Sequence, residues 1–215
     1  MDKESLPLRF IEARAPMHVT PIMLTGQHVC MTPLSLAHLE PLCAIGLDEE
    51  LWRWTTVNIQ TREQMRAYAE TALREQAEGK SLPFATVEKN TNRVAGCTRF
   101  GNIDTANRRV EIGWTWVGRA WQRTAVNTEA KLLMLQHAFE TWGCLRVEFK
   151  TDALNPRSRA ALLRLGAKEE GTFRNHMITD TGRVRHSVYF SLIDSEWPEV
   201  KARLQQKLEA AYLKS

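Results

Sequence analysis

The residues best suited to chemistry lie where a predicted strand passes into a predicted helix. The strand at residues 108–117 is followed by a loop at 118–121 and by the polar run Gln122–Thr128. The first N–H groups of a helix have no partner within the helix, and the helix dipole is positive at that end, so this run favours an anion. Small residues allow the main chain to approach a phosphate, and Arg123 would add positive charge. A plain helix start capped by Asn127 is the alternative.

The same strand carries a potential general base, Glu111. Strict alternation predicts two faces, one formed by Val110, Ile112, Trp114 and Trp116 and the other by Glu111, Gly113, Thr115 and Val117. A carboxylate beside a glycine in a mostly apolar strand suits the removal of a proton through a water molecule. The alternative is a solvent-facing carboxylate paired with Arg99 or Arg109.

A mixed set of strands and helices must position these residues. Strand patterns cover residues 28–33, 83–88, 93–102, 108–117, 146–151, 167–177 and 183–193. Helical patterns cover residues 35–45, 61–78, 127–142, 155–165 and the C-terminal segment from 196. Thr61 with Gln64 three residues later matches a capping box. Interleaved helices and hairpins predict an α+β (mixed α/β) fold, and the absence of a GxGxxG motif after a strand argues against a dinucleotide-binding fold.

Two segments together resemble motifs of the GCN5-related N-acetyltransferases (GNATs). Residues 111–114 and 121–130 resemble motif A, in which a Gln/Arg-x-x-Gly-x-Gly/Ala loop wraps the pyrophosphate of coenzyme A at a helix N-terminus. The run 155–159, followed by Leu165-Gly166-Ala167, resembles motif B, whose usual form begins Asn-x-x-Ser. The resemblance covers roughly residues 20 to 195 and is strongest to the branch that includes the Rim-type ribosomal-protein N-terminal acetyltransferases.

The resemblance implies a fold, a reaction and a domain plan. The fold would be a central, mostly antiparallel twisted sheet, splayed between its fourth and fifth strands and flanked by helices. The reaction would be direct transfer of an acetyl group from acetyl-CoA (coenzyme A) to a primary amine, either a protein N-terminal α-amine or a small molecule. We expect a tail at residues 1–20, an acetyltransferase domain at 21–195, and an amphipathic helix at 196–215 that packs on the domain or on a second copy in a homodimer.

The resemblance also assigns the donor site, with two departures from the family pattern. The motif glycine falls on Ala125, which requires a negative φ, and the closing Gly/Ala position falls on Asn127. The pyrophosphate would contact Gln122, Arg123, Thr124, Ala125, Val126, Asn127 and Thr128, and the pantetheine arm would pair with Thr115, Trp116 and Val117. Asn155 and Ser158 would also contact the cofactor, and the ribose phosphate would contact Arg157 and Arg159. A solvated helix face is the alternative for these two arginines.

The catalytic residues implied by the resemblance are Glu111 and Ser158. Many relatives carry a tyrosine on the motif B helix that protonates the departing thiolate, whereas here Ser158 occupies the Asn-x-x-Ser position, with a simple polar contact as its alternative. His176 and His186 lie in the final hairpin and would be bases near neutral pH or structural residues. Trp54, Arg99 and His176 are predicted in the acceptor pocket. Trp52 and Trp116 would line it too, although core packing explains most tryptophans.

Composition excludes several classes of protein. The 215 residues are 43% hydrophobic and 25% charged, which is typical of a globular domain, and no stretch approaches the roughly 20 apolar residues of a membrane span. Widely separated cysteines predict reduced core residues in a cytoplasmic protein with no bound metal, namely Cys30, Cys43, Cys97 and Cys144. The chain has a net charge of +4, and its basic residues are scattered along the sequence. This distribution argues against a nucleic-acid partner. A CoA-binding regulatory protein that has lost catalysis is the competing hypothesis.

Overall fold

One eight-stranded sheet organises the chain. The computed structural model describes residues 8–11 and 15–212. The strands are β1 (Leu24–Thr25), β2 (Val29–Pro33), β3 (Ser81–Glu88), β4 (Arg93–Asp104), β5 (Arg109–Val117), β6 (Arg146–Asp152), β7 (Lys168–Ile178) and β8 (Val184–Ile193). They lie in the order β1-β2-β3-β4-β5-β6-β8-β7. Each neighbouring pair is antiparallel except β5 and β6, which are parallel. The predicted mixed, mostly antiparallel sheet is confirmed.

Helices cover both faces of the sheet. They are α1 (Leu39–Gly46), α2 (Glu49–Trp52), α3 (Arg62–Ala77), α4 (Ala125–Gln136), α5 (Pro156–Leu165) and α6 (Trp197–Tyr212). A π-helical turn, His137–Thr141, extends α4. The capping box at α3 is confirmed, because Thr61 Oγ1 accepts from the Gln64 N–H at 3.2 Å and the Gln64 side chain accepts from the Thr61 N–H. The short elements β1 and α2 were not predicted.

Two apolar cores lie on opposite faces of the sheet. The larger core packs α4 and α6 against the sheet and includes Phe84, Phe100, Met134, Phe149 and Phe190. The smaller core lies under α1 and α3 and includes Leu42, Trp52, Met65, Ala85 and Trp116. The apolar face of α6 is buried in the larger core through Trp197, Val200, Leu204 and Leu208. That face is therefore used within the domain and is not available to a second copy.

The predicted N-terminal tail is only partly described, since residues 1–7 and 12–14 lie outside the described residues. Met17 is buried in the larger core, and the His18 carbonyl accepts a hydrogen bond of 3.1 Å from Trp142 Nε1. Arg108 also donates to the Ala15 carbonyl. Packing on the domain thus begins before residue 21.

The sheet opens between β5 and β6. Their parallel pairing runs from Arg109 opposite Arg146 to Glu111 opposite Glu148 and then stops. Beyond this point the C-terminal halves of both strands separate, which leaves main-chain groups of residues 112–117 without a partner strand on that side. These strands are the fourth and fifth of the predicted set, so the predicted splay is confirmed.

A β-bulge in β5 overturns the predicted faces of that strand. Gly113 pairs with Arg99 and Trp116 pairs with Cys97, so Trp114 and Thr115 together oppose one residue of β4. Trp114 takes a φ of 50°, which is rare for a bulky residue. The inserted residue reverses the alternation. Trp114 and Trp116 consequently share the face of Glu111 and Gly113, whereas Thr115 and Val117 join Val110 and Ile112 on the α4 side.

Candidate active site

A cleft of about 1430 Å³ fills the opening between β5 and β6. Its walls are the bulged end of β5, the start of α4, the end of β6 and the start of α5, with α6 closing one side. Most of the predicted donor-site residues line it together: Thr115, Trp116, Val117, Gln122, Arg123, Thr124, Asn127, Thr128, Asn155, Arg157 and Ser158. Residues far apart in sequence thus meet around one space large enough for an extended ligand.

The start of α4 forms one wall of the cleft. Thr124 is the N-cap, since its Oγ1 accepts from the Val126 N–H at 3.3 Å, so the alternative of an Asn127 cap is wrong. Asn127 lies in the first turn and lines the cleft. Arg123 has a φ of 64° and Ala125 is helical, so the positive φ of the loop falls two residues before the motif glycine position. The N–H groups of the first turn end at the cleft.

Two side chains of the predicted phosphate loop, those of Val126 and Gln122, make contacts within the protein. Val126 is buried in the larger core, so only its main chain is available to a ligand. The Gln122 Nε2 donates to the Val117 carbonyl at 3.1 Å. This bond ties the loop to the end of β5 and occupies one carbonyl that the resemblance assigns to pantetheine pairing.

Asn155 organises the start of α5. Its Oδ1 caps the helix by accepting from the Ser158 N–H at 3.0 Å, and Pro156 occupies the first turn. The amide Nδ2 is the group that remains for a ligand. Arg157 lines the cleft, whereas Arg159 is engaged by Glu169 at 3.1 Å and does not line it.

The lining of the cleft is cationic. Within the described residues it holds one carboxylate, that of Glu50, against the positive side chains of Arg53, Arg119, Arg123, Lys131, Lys150, Arg157, Arg164 and Lys207. Arg119 pairs with Asp48. Arg123 and Arg157 have no ion pair among the described side chains, so their charge is available to an anionic ligand.

Glu111 is buried next to the point where β5 and β6 separate. Its carboxylate Oε2 accepts from Asn102 Nδ2 at 2.8 Å and lies 3.4 Å from Lys150 Nζ. The alternative of a solvent-facing carboxylate paired with Arg99 or Arg109 is wrong, because its side chain is 4% exposed. Arg99 instead pairs with Glu75, and Arg109 pairs with Asp104 and Glu148. A buried carboxylate beside the opening of the sheet can take up a proton through water.

Comparison with known proteins identifies this arrangement. The family described as "Acetyltransferase (GNAT) domain" matches residues 28–168. The chain belongs to the GNAT acetyltransferases.

Individual GNAT relatives agree with this assignment. YdaF of Bacillus subtilis, provisionally named a ribosomal N-acetyltransferase, is 32% identical over 104 residues, which are 48% of this chain and 56% of YdaF. A GCN5-related N-acetyltransferase from Brucella melitensis has a crystal structure with 32% identity and a TM-score of 0.83, covering 88% of this chain and 86% of that one. Mycobacterium smegmatis RimJ, solved with CoA-disulfide, is 22% identical with a TM-score of 0.75, covering 87% of this chain and 95% of RimJ, and at that identity shares the fold.

The predicted acceptor residues of this GNAT are spread around the Glu111 face of the sheet. Trp54 lines the cleft, with Arg53 and Arg183 over its ring. Arg99 is 2% exposed and sandwiched between Tyr68 and Trp114, so it does not reach the cleft. Trp52 packs in the smaller core with its Nε1 donating to the Gly46 carbonyl at 2.7 Å, as the packing alternative predicted.

The two histidines of the final hairpin differ. His176 packs on Phe173 and Tyr189, away from the cleft lining, and its Nδ1 is buried without a hydrogen-bond partner among the described residues. Burial first, then the charges of Lys150 and Arg185, lower the pKa of His176, which favours a neutral ring. His186 is exposed and its Nδ1 accepts from the Asn175 N–H at 2.8 Å, which is a structural role.

Sequence reasoning missed Lys131 of this GNAT. The side chain is buried on α4, yet it lines the cleft. Burial lowers the pKa of its ammonium to about 7. A helical signal was present, since Lys131 lies four residues after Asn127 and therefore on the same face of α4.

The cysteines and the histidines of this GNAT offer no metal site in the part of the chain that the structure describes. All four cysteines are free, with Cys97 and Cys144 buried, whereas Cys30 and Cys43 are half-buried rather than core residues. Burial raises the pKa of the Cys97 thiol to about 11, so this thiol is protonated at neutral pH. Within the same described residues, no helix has the length and apolar character needed to cross a bilayer.

Proposed function

We propose that this chain transfers the acetyl group of acetyl-CoA directly to a primary amine. The observation that carries the proposal is the opening between β5 and β6, where a helix N-terminus and a bulged strand end line one cationic cleft and the buried Glu111 carboxylate lies directly behind Gly113 of the lining. The acceptor is the α-amine of a protein or a small-molecule amine. The provisional name of YdaF favours the protein α-amine.

The start of α4 suits the pyrophosphate of the donor. The first N–H groups of α4 have no partner within the helix, although that of Val126 is capped by Thr124 Oγ1. Arg123 and Arg157 bring charge from two sides of the cleft. Arg159 would first have to leave Glu169 before it could reach a ribose phosphate. When bound, acetyl-CoA supplies an activated acetyl group as a thioester.

The bulged end of β5 suits the arm that carries the thioester. Because Trp114 and Thr115 lie outside the regular β4 ladder, their main-chain groups can pair with a ligand or donate to a carbonyl oxygen that gains negative charge. Asn155 also lines the cleft, and its amide would hydrogen-bond to the same arm. These groups orient the donor without any covalent bond to the protein.

Glu111 acts as the base on the acceptor side. Asn102 and Lys150 fix its carboxylate, and Gly113 leaves the space beside it open toward the bulge. The carboxylate takes a proton from the acceptor ammonium through water, which produces the neutral amine that attacks. Trp54 lines the cleft on the side proposed for the acceptor. Arg99 and His176 do not line the cleft and pack on neighbouring aromatic rings instead. Ser158 lines the cleft close to the start of α5 and remains a predicted proton donor to the sulfur.

Release of CoA thiol with a panel of acceptors tests the proposal. The panel contains peptides with a free N-terminus, the same peptides with a blocked N-terminus and an internal lysine, and small primary amines. We expect thiol release with free-amine acceptors and a mass increase of one acetyl group on the acceptor. Binding of CoA with no turnover on any member would overturn the proposal and favour the CoA-binding regulatory protein.

A further inference from the structure

Lys131 places a primary amine in the floor of the cleft. Its Nζ lies 2.7 Å from Thr115 Oγ1 and 3.4 Å from Thr98 Oγ1, and the two hydroxyl oxygens are themselves 2.7 Å apart. An ammonium has three N–H donors. Two hydroxyls satisfy two of them, so one N–H remains for a group in the cleft.

Among residues 8–11 and 15–212, no carboxylate forms an ion pair with this amine. The charged groups on the elements around it are engaged elsewhere. On α4, the Glu129 carboxylate accepts from the N–H groups of Gln27, His28 and Val29 at 2.7–2.8 Å. On the neighbouring strands, Arg99 pairs with Glu75 and Glu111 pairs with Lys150. On α6, Arg203 and Lys207 donate to the carbonyls of Leu165 and Arg164.

Burial therefore acts alone on the protonation of Lys131. It lowers the pKa of the ammonium to about 7, so the group gains and loses its proton near neutral pH. A general acid is most effective when its pKa lies near the working pH.

The position of Lys131 along the cleft points to the acyl end of the donor. Thr115, which holds the Nζ, is the residue directly after Trp114 in the bulge. Lys131 is six residues beyond Ala125, which corresponds to about 9 Å along the helix axis from the proposed phosphate site. At this end of the donor, negative charge develops on the carbonyl oxygen when the amine attacks and on sulfur when the C–S bond breaks. Of these two atoms, sulfur is the one that must leave with a proton.

We propose that Lys131 donates the proton that the sulfur of coenzyme A takes when the thioester breaks. The inference rests on the proposed function. The acceptor nitrogen forms its bond to the acetyl carbonyl carbon, the C–S bond breaks, and the electron pair goes to sulfur. One N–H proton of Lys131 passes to that sulfur. Glu111 has by then released the ammonium proton to solvent, and it takes the second proton of the acceptor nitrogen as the amide forms. Lys131 is left neutral and regains its proton from solvent. An ammonium is a far stronger acid than the Ser158 hydroxyl.

The pKa of the CoA thiol in the bound state tests whether Lys131 lies beside the sulfur. This measurement needs no turnover. The ultraviolet absorbance of the thiolate is followed against pH for CoA bound to the wild type and to Lys131→Met, with desulfo-CoA as the blank. The ammonium stabilises a nearby thiolate, so we expect the thiol pKa in the wild type to be at least about one unit lower than in Lys131→Met. Equal thiol pKa values would overturn the inference. Lys201→Met, which removes a lysine of α6 paired with Glu140 outside the cleft, is the matched control.

Turnover gives the second readout. Lys131→Met is expected to lower kcat at least about tenfold below pH 7 with little change in the KM for acetyl-CoA, and to remove the decline of wild-type kcat at higher pH. Thr115→Val keeps the lysine but removes the hydroxyl that holds it, and should change kcat in the same direction. A wild-type kcat and pH profile in Lys131→Met would overturn the inference even while the chain acetylates amines. If the thiol pKa is lowered but the wild type transfers no acetyl group, the result supports a position of Lys131 beside the sulfur. The same result contradicts the proposed function.

Discussion

Glu111 Oε1 lies 2.9 Å from the position that a Cβ atom would occupy on Gly113. The missing side chain on Gly113 therefore leaves room for the carboxylate to extend along β5 toward the bulge. Gly113 lines the cleft, so the carboxylate lies directly behind the lining of the site at this point. The absence of a side chain on Gly113 thus helps to determine where the Glu111 carboxylate lies.

Gly113→Ala is expected to move the base without unfolding the protein. The added Cβ meets the end of the Glu111 side chain, which must shift and weaken its contacts with Asn102 and Lys150 while the fold is kept. We expect kcat to fall by about tenfold or more, since a displaced base loses its water-mediated path. Steady-state kinetics measures the fall, and thermal unfolding with CoA titration provides the control. Unchanged kcat would show that the position of the carboxylate does not matter.

Glu111→Gln tests the base itself. The amide keeps the size of the side chain but cannot take a proton, so turnover should fall by about 10²–10⁴-fold. The loss should be largest at low pH, where few acceptor molecules are deprotonated in solution, and smallest at high pH. The pH dependence of kcat/KM measures this difference. Wild-type rates at low pH in the variant would remove Glu111 from the mechanism.

Asn155 allows its two roles to be separated. Asn155→Ala removes both the helix cap and the amide, and should weaken CoA binding and cost about 1 kcal/mol of stability. Asn155→Ser retains a capping oxygen but lacks the amide, so it should weaken CoA binding with little loss of stability. Calorimetric titration and chemical unfolding measure the two effects. Unchanged CoA affinity in both variants would exclude Asn155 from the donor site.

Lys131 should leave a signature in stability against pH. Its ordinary pKa of 10.5 falls to about 7 in the folded chain, so the unfolded chain binds the proton between these values while the folded chain does not. The free energy of unfolding of the wild type should therefore rise with pH across this window. Its slope should exceed that of Lys131→Met by up to about 1.4 kcal/mol per pH unit. Urea unfolding at pH 7, 8 and 9 measures the difference. Parallel stability curves for the two proteins would show that Lys131 is not desolvated.

Short sequence patterns predict much of this architecture, because they mark where helices begin. Thr61 with Gln64 marked the start of α3, and Asn155-Pro156 marked the start of α5. The splay between β5 and β6 followed from the resemblance and not from any residue pattern. The starts of α4 and α5, which line the cleft, were predictable because helix starts depend on neighbours a few residues away.

Other features depend on contacts that a single strand or helix does not encode. Alternation in β5 gave no sign of the inserted residue at Trp114, because a bulge is set by the register with β4. The positive φ at Arg123 was hidden by a residue type that rarely adopts it. Lys131 resembles any helical lysine until the strand hydroxyls of Thr98 and Thr115 are brought beside it.

A crystal structure of the complex with CoA tests the central claim most directly. We expect the pyrophosphate against the main-chain N–H groups at the start of α4, and the pantetheine arm between β5 and β6 with its sulfur beside the Trp114 bulge and Lys131. CoA bound elsewhere on the chain, or a cleft that stays free of CoA at saturating concentration, would contradict it.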